Sequence, residues 1–464
     1  MLKVALTILL LAGGVAWNFE ARDDASTAQI RWNPISGGEG FRVLGEGDPS
    51  DERGASVTID STSTAKASFG GAMASLDVAR FRGQELVLAG QLEVTDGPGN
   101  AAIWIRADGN GRRPAFSTSA TMPVIKGSKE QRKIWIYAPE DTNNLVVGAI
   151  VKGEAKAKVS QLTVRALPQR SLSSATAKQV LLSILSLVEK NALNASKLDV
   201  PALRNTLITE GLEQSNPLEG YARGARVLEG LQDGHSFLLT PKDASFYRST
   251  GTRYGLMQSS LIHGVGYINV PGFRGTALKQ TTEYANEICS KLAQLNAKRA
   301  TGWVVDLRQN NGGNMWPMLD GLQPLLGRGS YGSFRDRNGN ETPLVSKGKK
   351  RCQTTVPSNA RVAVLIGRNT ASSGEAIAIA FSGRPNTRTF GSATAGLSTA
   401  NSTYALPGGG TLVLTTGVAV DRLGRLFPAG LKPDESISDQ GTADQTLGSA
   451  IAWVRSDKIR KSDP

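Results

Sequence analysis

Three short segments carry residue types that could perform acyl-transfer chemistry. The first is Asn369-Thr370-Ala371-Ser372-Ser373-Gly374-Glu375, which follows an apolar run and opens a helical pattern. A hydroxyl at such a helix start lies at the positive end of the helix dipole, with N–H groups nearby to hold a developing oxyanion. The same letters spell a capping box, Ser372-x-x-Glu375, whose simpler job is to satisfy the orphan N–H groups of the first turn. The second segment, Gln232-Asp233-Gly234-His235-Ser236, supplies one of the two imidazoles of the chain; the other, His263, sits in an ordinary turn. His235 stands just past a helix end whose negative pole favours imidazolium by up to about 2 kcal/mol, which suits a base that takes a serine proton. A capping side chain after a glycine stop is the plainer role. The third segment, Trp303 to Asn314, runs a buried strand into the pair Gly312-Gly313. Either glycine N–H could face a carbonyl oxygen, a contact worth about 3–4 kcal/mol in a transition state. A tight strand-to-helix turn explains the glycines equally well, and Asp306 with Arg308 reads as a structural ion pair.

The choice of base is narrow. No lysine occurs between Lys350 and Lys432, so a serine–lysine pair would have to recruit one from far along the chain, and His235 is the better candidate. The serine does not sit in a Gly-x-Ser-x-Gly elbow, which disfavours an α/β-hydrolase esterase.

The elements that must position these groups follow from periodicity. Residues 17–168 read as all-β: Ala55–Ile59, Glu85–Val94, Ala101–Arg106, Lys133–Tyr137, Leu145–Lys152 and Val159–Arg165 alternate or are rich in β-formers, with Gly and Pro turns between them. An antiparallel sandwich of jelly-roll type is expected, with Trp104 and Trp135 in its core. A helical segment, 169–250, follows, with helices near Val180–Val188, Ala202–Glu213 and Pro217–Gln232 and a stop at Gly234. From 251 to 455 strands and helices alternate, the grammar of a mainly parallel sheet covered by helices. Gly327–Arg351, with an Asn338-Gly339 turn, is long enough to be a lid. Residues 456–464 are a polar tail.

Composition narrows the classes. The 464 residues carry 53 Lys and Arg against 40 Asp and Glu, a net charge of +13 spread thinly along the chain, with one dense run at Lys347–Arg351. That distribution predicts no nucleic-acid partner. Two Cys and two His, without His-Glu-x-x-His or Cys-x-x-Cys, predict neither a structural metal nor a cofactor. Cys289 and Cys352 can be two separate thiols or a disulfide. Met1–Ala16 has the positive start, apolar core and small residues of a secretory leader, and no later apolar run is long enough to span a bilayer. An exported chain, periplasmic or secreted, is expected.

Taken together, Asp233–Ser236, Gly302–Gly313, Thr370–Glu375, Gly391-Ser392-Ala393-Thr394-Ala395-Gly396 and Gly430-Leu431-Lys432-Pro433-Asp434 resemble, in order, the C-terminal processing (tail-specific) proteases and the tricorn core. The resemblance implies a multidomain α+β chain whose C-terminal part is a crotonase-like α/β core. It further implies a serine peptidase acting on polypeptides, with Ser372 as nucleophile, His235 as base and the N–H groups of Ser373 and Gly312 or Gly313 as oxyanion hole. Leu397 stands where the processing branch has a lysine, which points to the histidine-using branch. The late glutamate of that branch has no match around Leu426-Phe427-Pro428, so Glu375, Ser236 or Asp421 is left to orient His235. A non-catalytic peptide or ligand binder, and an esterase or amidase using the same serine, are the competing readings; the sandwich could bind carbohydrate or protein.

Overall fold

The computed structural model describes residues 30–36, 40–61, 69–109, 114–120, 123–168, 175–249, 252–253, 256–346, 352, 354–437 and 444–456. The expected leader, the basic run 347–351 and the tail beyond Ser456 lie outside these residues. Contacts divide the chain into two compact units, residues 1–181 with 207–226, and residues 182–206 with 227–464.

In the first unit the strands are β1 (Asn33–Ser36), β2 (Phe41–Glu46), β3 (Ala55–Ser61), β4 (Phe69–Leu76), β5 (Gln84–Asp96) and β6 (Asn100–Gly109). They are followed by β7 (Ala115–Thr118), β8 (Val124–Ile125), β9 (Lys129–Ala138), β10 (Thr142–Lys152) and β11 (Lys156–Ala166). Two antiparallel sheets result, ordered β1-β4-β10-β6-β7 and β2-β3-β11-β5-β9. Their inward side chains, among them Ile103 and Val147 from one sheet and Leu88 and Val159 from the other, share one apolar core. Each such buried side chain contributes about 1.5–3 kcal/mol. Trp104 is buried as expected, whereas Trp135 is 41% exposed. The correction is one of parity: Ile134 and Ile136 take the inward positions of β9, so the residue between them faces outward.

The helices begin with α1 (Ala177–Asn191), α2 (Val200–Leu207) and α3 (Pro217–Gly230). The second of these stops at Leu207, six residues short of the expected Glu213. Glu219, buried on α3, accepts hydrogen bonds from Tyr137 Oη at 3.0 Å and from Arg223 Nε at 3.0 Å within the first unit.

The second unit adds β12 (Phe237–Leu239), α4 (Pro241–Ser249), β13 (Thr252–Arg253), β14 (Ser259–Ile262), β15 (Val265–Asn269), β16 (Phe273–Arg274) and α5 (Leu278–Ala297). Next come β17 (Gly302–Asp306), α6 (Trp316–Leu326), β18 (Ser333–Asp336), β19 (Glu341–Pro343), β20 (Val362–Ile366), α7 (Ser373–Phe381) and β21 (Thr387–Gly391). The chain closes with β22 (Thr399–Ala405), β23 (Thr411–Val420), β24 (Leu426–Phe427), β25 (Glu435–Ser436) and α8 (Gln445–Arg455). One sheet runs β14-β15-β17-β20-β21-β25, parallel from β15 onward. All five residues of β17 and of β20 are buried, as a parallel sheet with two covered faces requires. Trp303, Val305, Val364 and Ile366 pack with α5, α6 and α7 on one face, while Val304, Ala363 and Leu365 meet Ile451 and Val454 of α8 on the other.

A second sheet is antiparallel, β12-β23-β18-β19, with β22 and β24 along the other edge of β23. The segment read as a lid is therefore partly built in: β18 pairs with β23 from Ser333↔Val420 to Asp336↔Gly417, and Asn338-Gly339 turns the chain back into β19. Cys289 of α5 and Cys352 form a disulfide with a Cα–Cα distance of 5.5 Å. The bond closes a loop of 63 residues in sequence. Replacing both partners (Cys289→Ser with Cys352→Ser) is expected to cost about 2–4 kcal/mol of unfolding free energy, read from urea denaturation. An unchanged midpoint would show that the bond does not restrain the unfolded chain.

Candidate active site

Because β17, β20 and β21 are parallel neighbours, the loops at their C-terminal ends lie side by side. They lace together. Thr370 Oγ1 donates to Leu307 O at 2.9 Å, and Ala371 N–H donates to Asn310 O at 2.9 Å. Ala395 N–H donates to Thr370 O at 2.9 Å. Ser372 emerges from this knot at the cap of α7, with φ 53° and ψ −118°. A non-glycine residue at positive φ costs about 1–3 kcal/mol and persists only where its surroundings impose it.

Glu375 imposes it. The carboxylate is fully buried and accepts from four donors: Ser372 N–H at 2.9 Å, Leu397 N–H at 2.8 Å, Gly396 N–H at 2.9 Å and Thr394 Oγ1 at 2.6 Å. Burial pushes this carboxyl above the usual glutamate range, against the downward pull of Thr394 and the three N–H groups. The glutamate half of the capping box is thus made.

His235 arrives from the antiparallel sheet. After α3 the chain turns through Gln232 and Gly234, both at positive φ, and enters β12, which pairs with β23 from Phe237↔Val413. Asp233 fixes the turn by accepting from His235 N–H at 2.8 Å, Ser236 N–H at 2.8 Å and Ser236 Oγ at 2.6 Å. Asn401 Nδ2 donates to His235 O at 3.1 Å. The imidazole, 7% exposed, then lies with Nε2 2.9 Å from Ser372 Oγ and Nδ1 2.7 Å from Thr399 Oγ1. Either hydroxyl can donate or accept. A base directed at Ser372 needs its proton on Nδ1, where Thr399 Oγ1 accepts it.

Three sequence expectations for the residue behind His235 do not hold. Glu375 spends its oxygens on the Ser372 backbone and the 394–397 loop. Ser236 Oγ donates to Asp233 and accepts from Thr415 N–H at 2.9 Å. Asp421 closes its own turn, accepting from Arg425 Nε at 2.7 Å and Leu423 N–H at 2.9 Å. Burial opposes the Asp421 charge, yet its hydrogen bonds with Arg425, Leu423 and Ser382 hold the carboxyl below the usual range. Thr399 carried no local signal.

The two glycines have separate duties. Gly312 (φ +97°) is buried, and its N–H donates to Asn310 Oδ1 at 3.0 Å. A Cβ there would come within 2.8 Å of Ser372 Cβ, so the absence of a side chain is what lets the two loops meet. Gly313 is exposed, and its carbonyl accepts from Ser373 Oγ at 2.5 Å. Among the described residues, neither the Gly313 nor the Ser373 N–H is committed to a protein acceptor. The expected Asp306–Arg308 pair is present at 2.7 Å and extends to Asp444. No cluster of His, Cys, Asp or Glu suited to a metal occurs among the described residues.

Known proteins place the chain. The sequence pattern of Peptidase family S41 matches residues 264–437. The nisin-resistance protein of Lactococcus lactis subsp. lactis is 32% identical over 260 residues, which span 53% of this chain and 78% of that protein. The chain belongs to peptidase family S41. Among solved structures, a lipoprotein from Streptococcus agalactiae superposes with a TM-score of 0.53 at 25% identity, over 62% of this chain and 97% of its own. The photosystem II D1 C-terminal processing protease aligns with a TM-score of 0.45 at 15% identity, over 61% of this chain and 98% of its own. The S41 match contains Ser372, Glu375 and both glycines but begins downstream of His235.

The role of Glu375 as a backbone clamp is testable. In Glu375→Gln an amide NH2 would face N–H donors, so stability should fall by about 1–3 kcal/mol. Any hydrolytic rate should fall in amplitude while its pH midpoint stays put. A shifted midpoint would mean that Glu375 acts on the histidine after all.

Proposed function

We propose that this S41 member is a serine peptidase that cleaves polypeptides through an acyl-enzyme on Ser372. The observation that carries the reading is the alignment of Thr399 Oγ1, His235 and Ser372 Oγ through two short hydrogen bonds. His235 Nε2 takes the Ser372 hydroxyl proton as Oγ attacks the scissile carbonyl carbon. The negative oxygen so formed is received by the N–H groups of Gly313 and Ser373, each worth about 3–4 kcal/mol in the transition state. The imidazolium keeps its Nδ1 proton on Thr399 and returns the Nε2 proton to the leaving amine. Water then repeats the sequence on the acyl-enzyme.

In this reading residues 251–455, with the parallel sheet that carries Ser372, are a crotonase-like peptidase core, and His235 reaches it from the preceding helical segment 169–250. Residues 17–168 are, in the same reading, a jelly-roll-like sandwich. Membership of the S41 family and the uncommitted N–H pair favour peptide hydrolysis over a binding role for the same fold. The Cys289–Cys352 bond supports an oxidising setting outside the cytosol, in line with the leader-like Met1–Ala16.

Ser372→Ala should reduce peptide hydrolysis by roughly four orders of magnitude and leave the Tm within about a degree, since one hydroxyl is removed at a part-buried position. Cleavage that persists in this variant would end the assignment. Thr399→Val should cost about tenfold in kcat/KM, the value of one hydrogen bond, whereas Thr399→Ser keeps the hydroxyl and most of the rate. Equal losses in the two would show that Thr399 merely fills space.

A further inference from the structure

Strand β22 combines three properties. It starts at the site, because its first residue, Thr399, holds the His235 ring and the loop just before it is clamped by Glu375. It is an edge: β22 pairs with β23 along one side, from Thr399↔Val418 to Ala405↔Thr411, and among the described residues no strand pairs with the other side. None of its seven residues is buried. Finally, it is unprotected. Exposed edges usually carry charge or proline that discourages pairing with another chain. Of the other edge strands longer than five residues, β2 carries Arg42 and Glu46, and β9 carries Lys129, Glu130, Arg132 and Lys133. The sequence Thr-Ala-Asn-Ser-Thr-Tyr-Ala of β22 has neither charge nor proline.

A long open edge of this kind is a hazard unless it has a regular occupant. We propose that the free edge of β22 is the substrate-binding strand, which takes one flank of an extended polypeptide by backbone pairing. Recognition then rests on the substrate main chain, so the class accepted is unfolded or flexible segments able to lie straight for about four residues beside the scissile bond, with broad side-chain tolerance. The inference rests on the catalytic reading above and adds a second consequence. A paired β22 is a stiffer β22, and stiffening it steadies Thr399 and through it the imidazole. Substrate length should therefore speed the chemical step as well as improve binding.

Peptidyl diphenyl phosphonates built on alanine, with one, three and five residues, test this on the wild-type protein. Ser372 Oγ forms a bond to phosphorus, phenoxide leaves, and His235 takes the serine proton. A minimal fluorophosphonate serves as the reference that needs no strand. The labelling rate should rise about two- to tenfold for each added backbone hydrogen bond, with part of the gain in the maximal rate at saturating probe. N-methylation along the five-residue probe should depress the rate at every second position only. Hydrogen exchange should show amides within Thr399–Ala405 slowed at least tenfold by the five-residue adduct and not by the fluorophosphonate adduct. Fluorophosphonate labelling with no dependence on peptide length, or protection appearing on another strand, overturns the β22 site and leaves the catalytic reading standing. Failure of every probe to label Ser372 overturns both.

Discussion

Four hydrogen-bond donors from two separate stretches of chain converge on one fully buried carboxylate, Glu375. An isolated carboxylate in such a place would cost several kcal/mol, and only a complete set of donors offsets that. The consequence is cooperative. The Ser372 backbone, the Thr394–Leu397 loop and the loop at Gly430 must be in place together or not at all. Gly430 leaves the room: a Cβ there would come within 2.8 Å of Glu375 Oε1 and 2.6 Å of Thr394 Oγ1. Leu431 N–H in turn donates to Thr394 Oγ1 at 2.8 Å. The glycine-rich stretches after Ser372 are, on this account, the walls of a carboxylate socket.

Around that socket the fold solves a problem of distance. Ser372 and His235 are 137 residues apart, and they come from different kinds of sheet. Parallel strands deliver the serine, because parallel neighbours put consecutive loops on one edge. The antiparallel sheet delivers the histidine, because β12 lies across β23 from β22 and so brings the start of β12 near Thr399. The link between the sheets is the clamped loop 394–398 leading into β22. Ser398 Oγ secures its end by donating to Phe427 O and accepting from Gly430 N–H.

What could be read from the sequence follows from how local each signal is. Ser372 and His235 announce themselves through neighbours: an apolar strand before a helix start, and a glycine stop after a helix. The strand–helix alternation of the second unit was equally plain, since each element carries its own period. Thr399 is a threonine at the start of a strand, as many are, and only pairing across the sheet gives it a role. The separate duties of Gly312 and Gly313 hang on one side chain, Asn310. An Asn accepting from the N–H two residues on is a familiar local motif, so the difference between the two glycines is written in the local sequence. Trp135 could have been placed from Ile134 and Ile136, which already occupy the inward parity. The β18–β19 hairpin is visible as a turn, but nothing within 327–351 says that Gly417–Val420 of β23 would pair with it.

A hydroxyl behind the imidazole has chemical consequences that a carboxylate would not. Thr399 Oγ1 can fix the tautomer and the ring plane, and a neutral acceptor is enough for both. What it supplies less of is charge stabilisation of imidazolium, since hydrogen bonds with an ionised partner are roughly twice as strong as neutral ones. Part of the remaining burden falls on backbone geometry. The turn that carries His235 is pinned by Asp233, Asn401 and Thr415 through Ser236. In such an arrangement rate depends on how well Thr399 is held, and Thr399 opens a strand with one side unpaired. On the proposed reading, chemistry and substrate binding are not independent properties of this site, because the strand that holds the imidazole is also the strand proposed to pair with the chain to be cut.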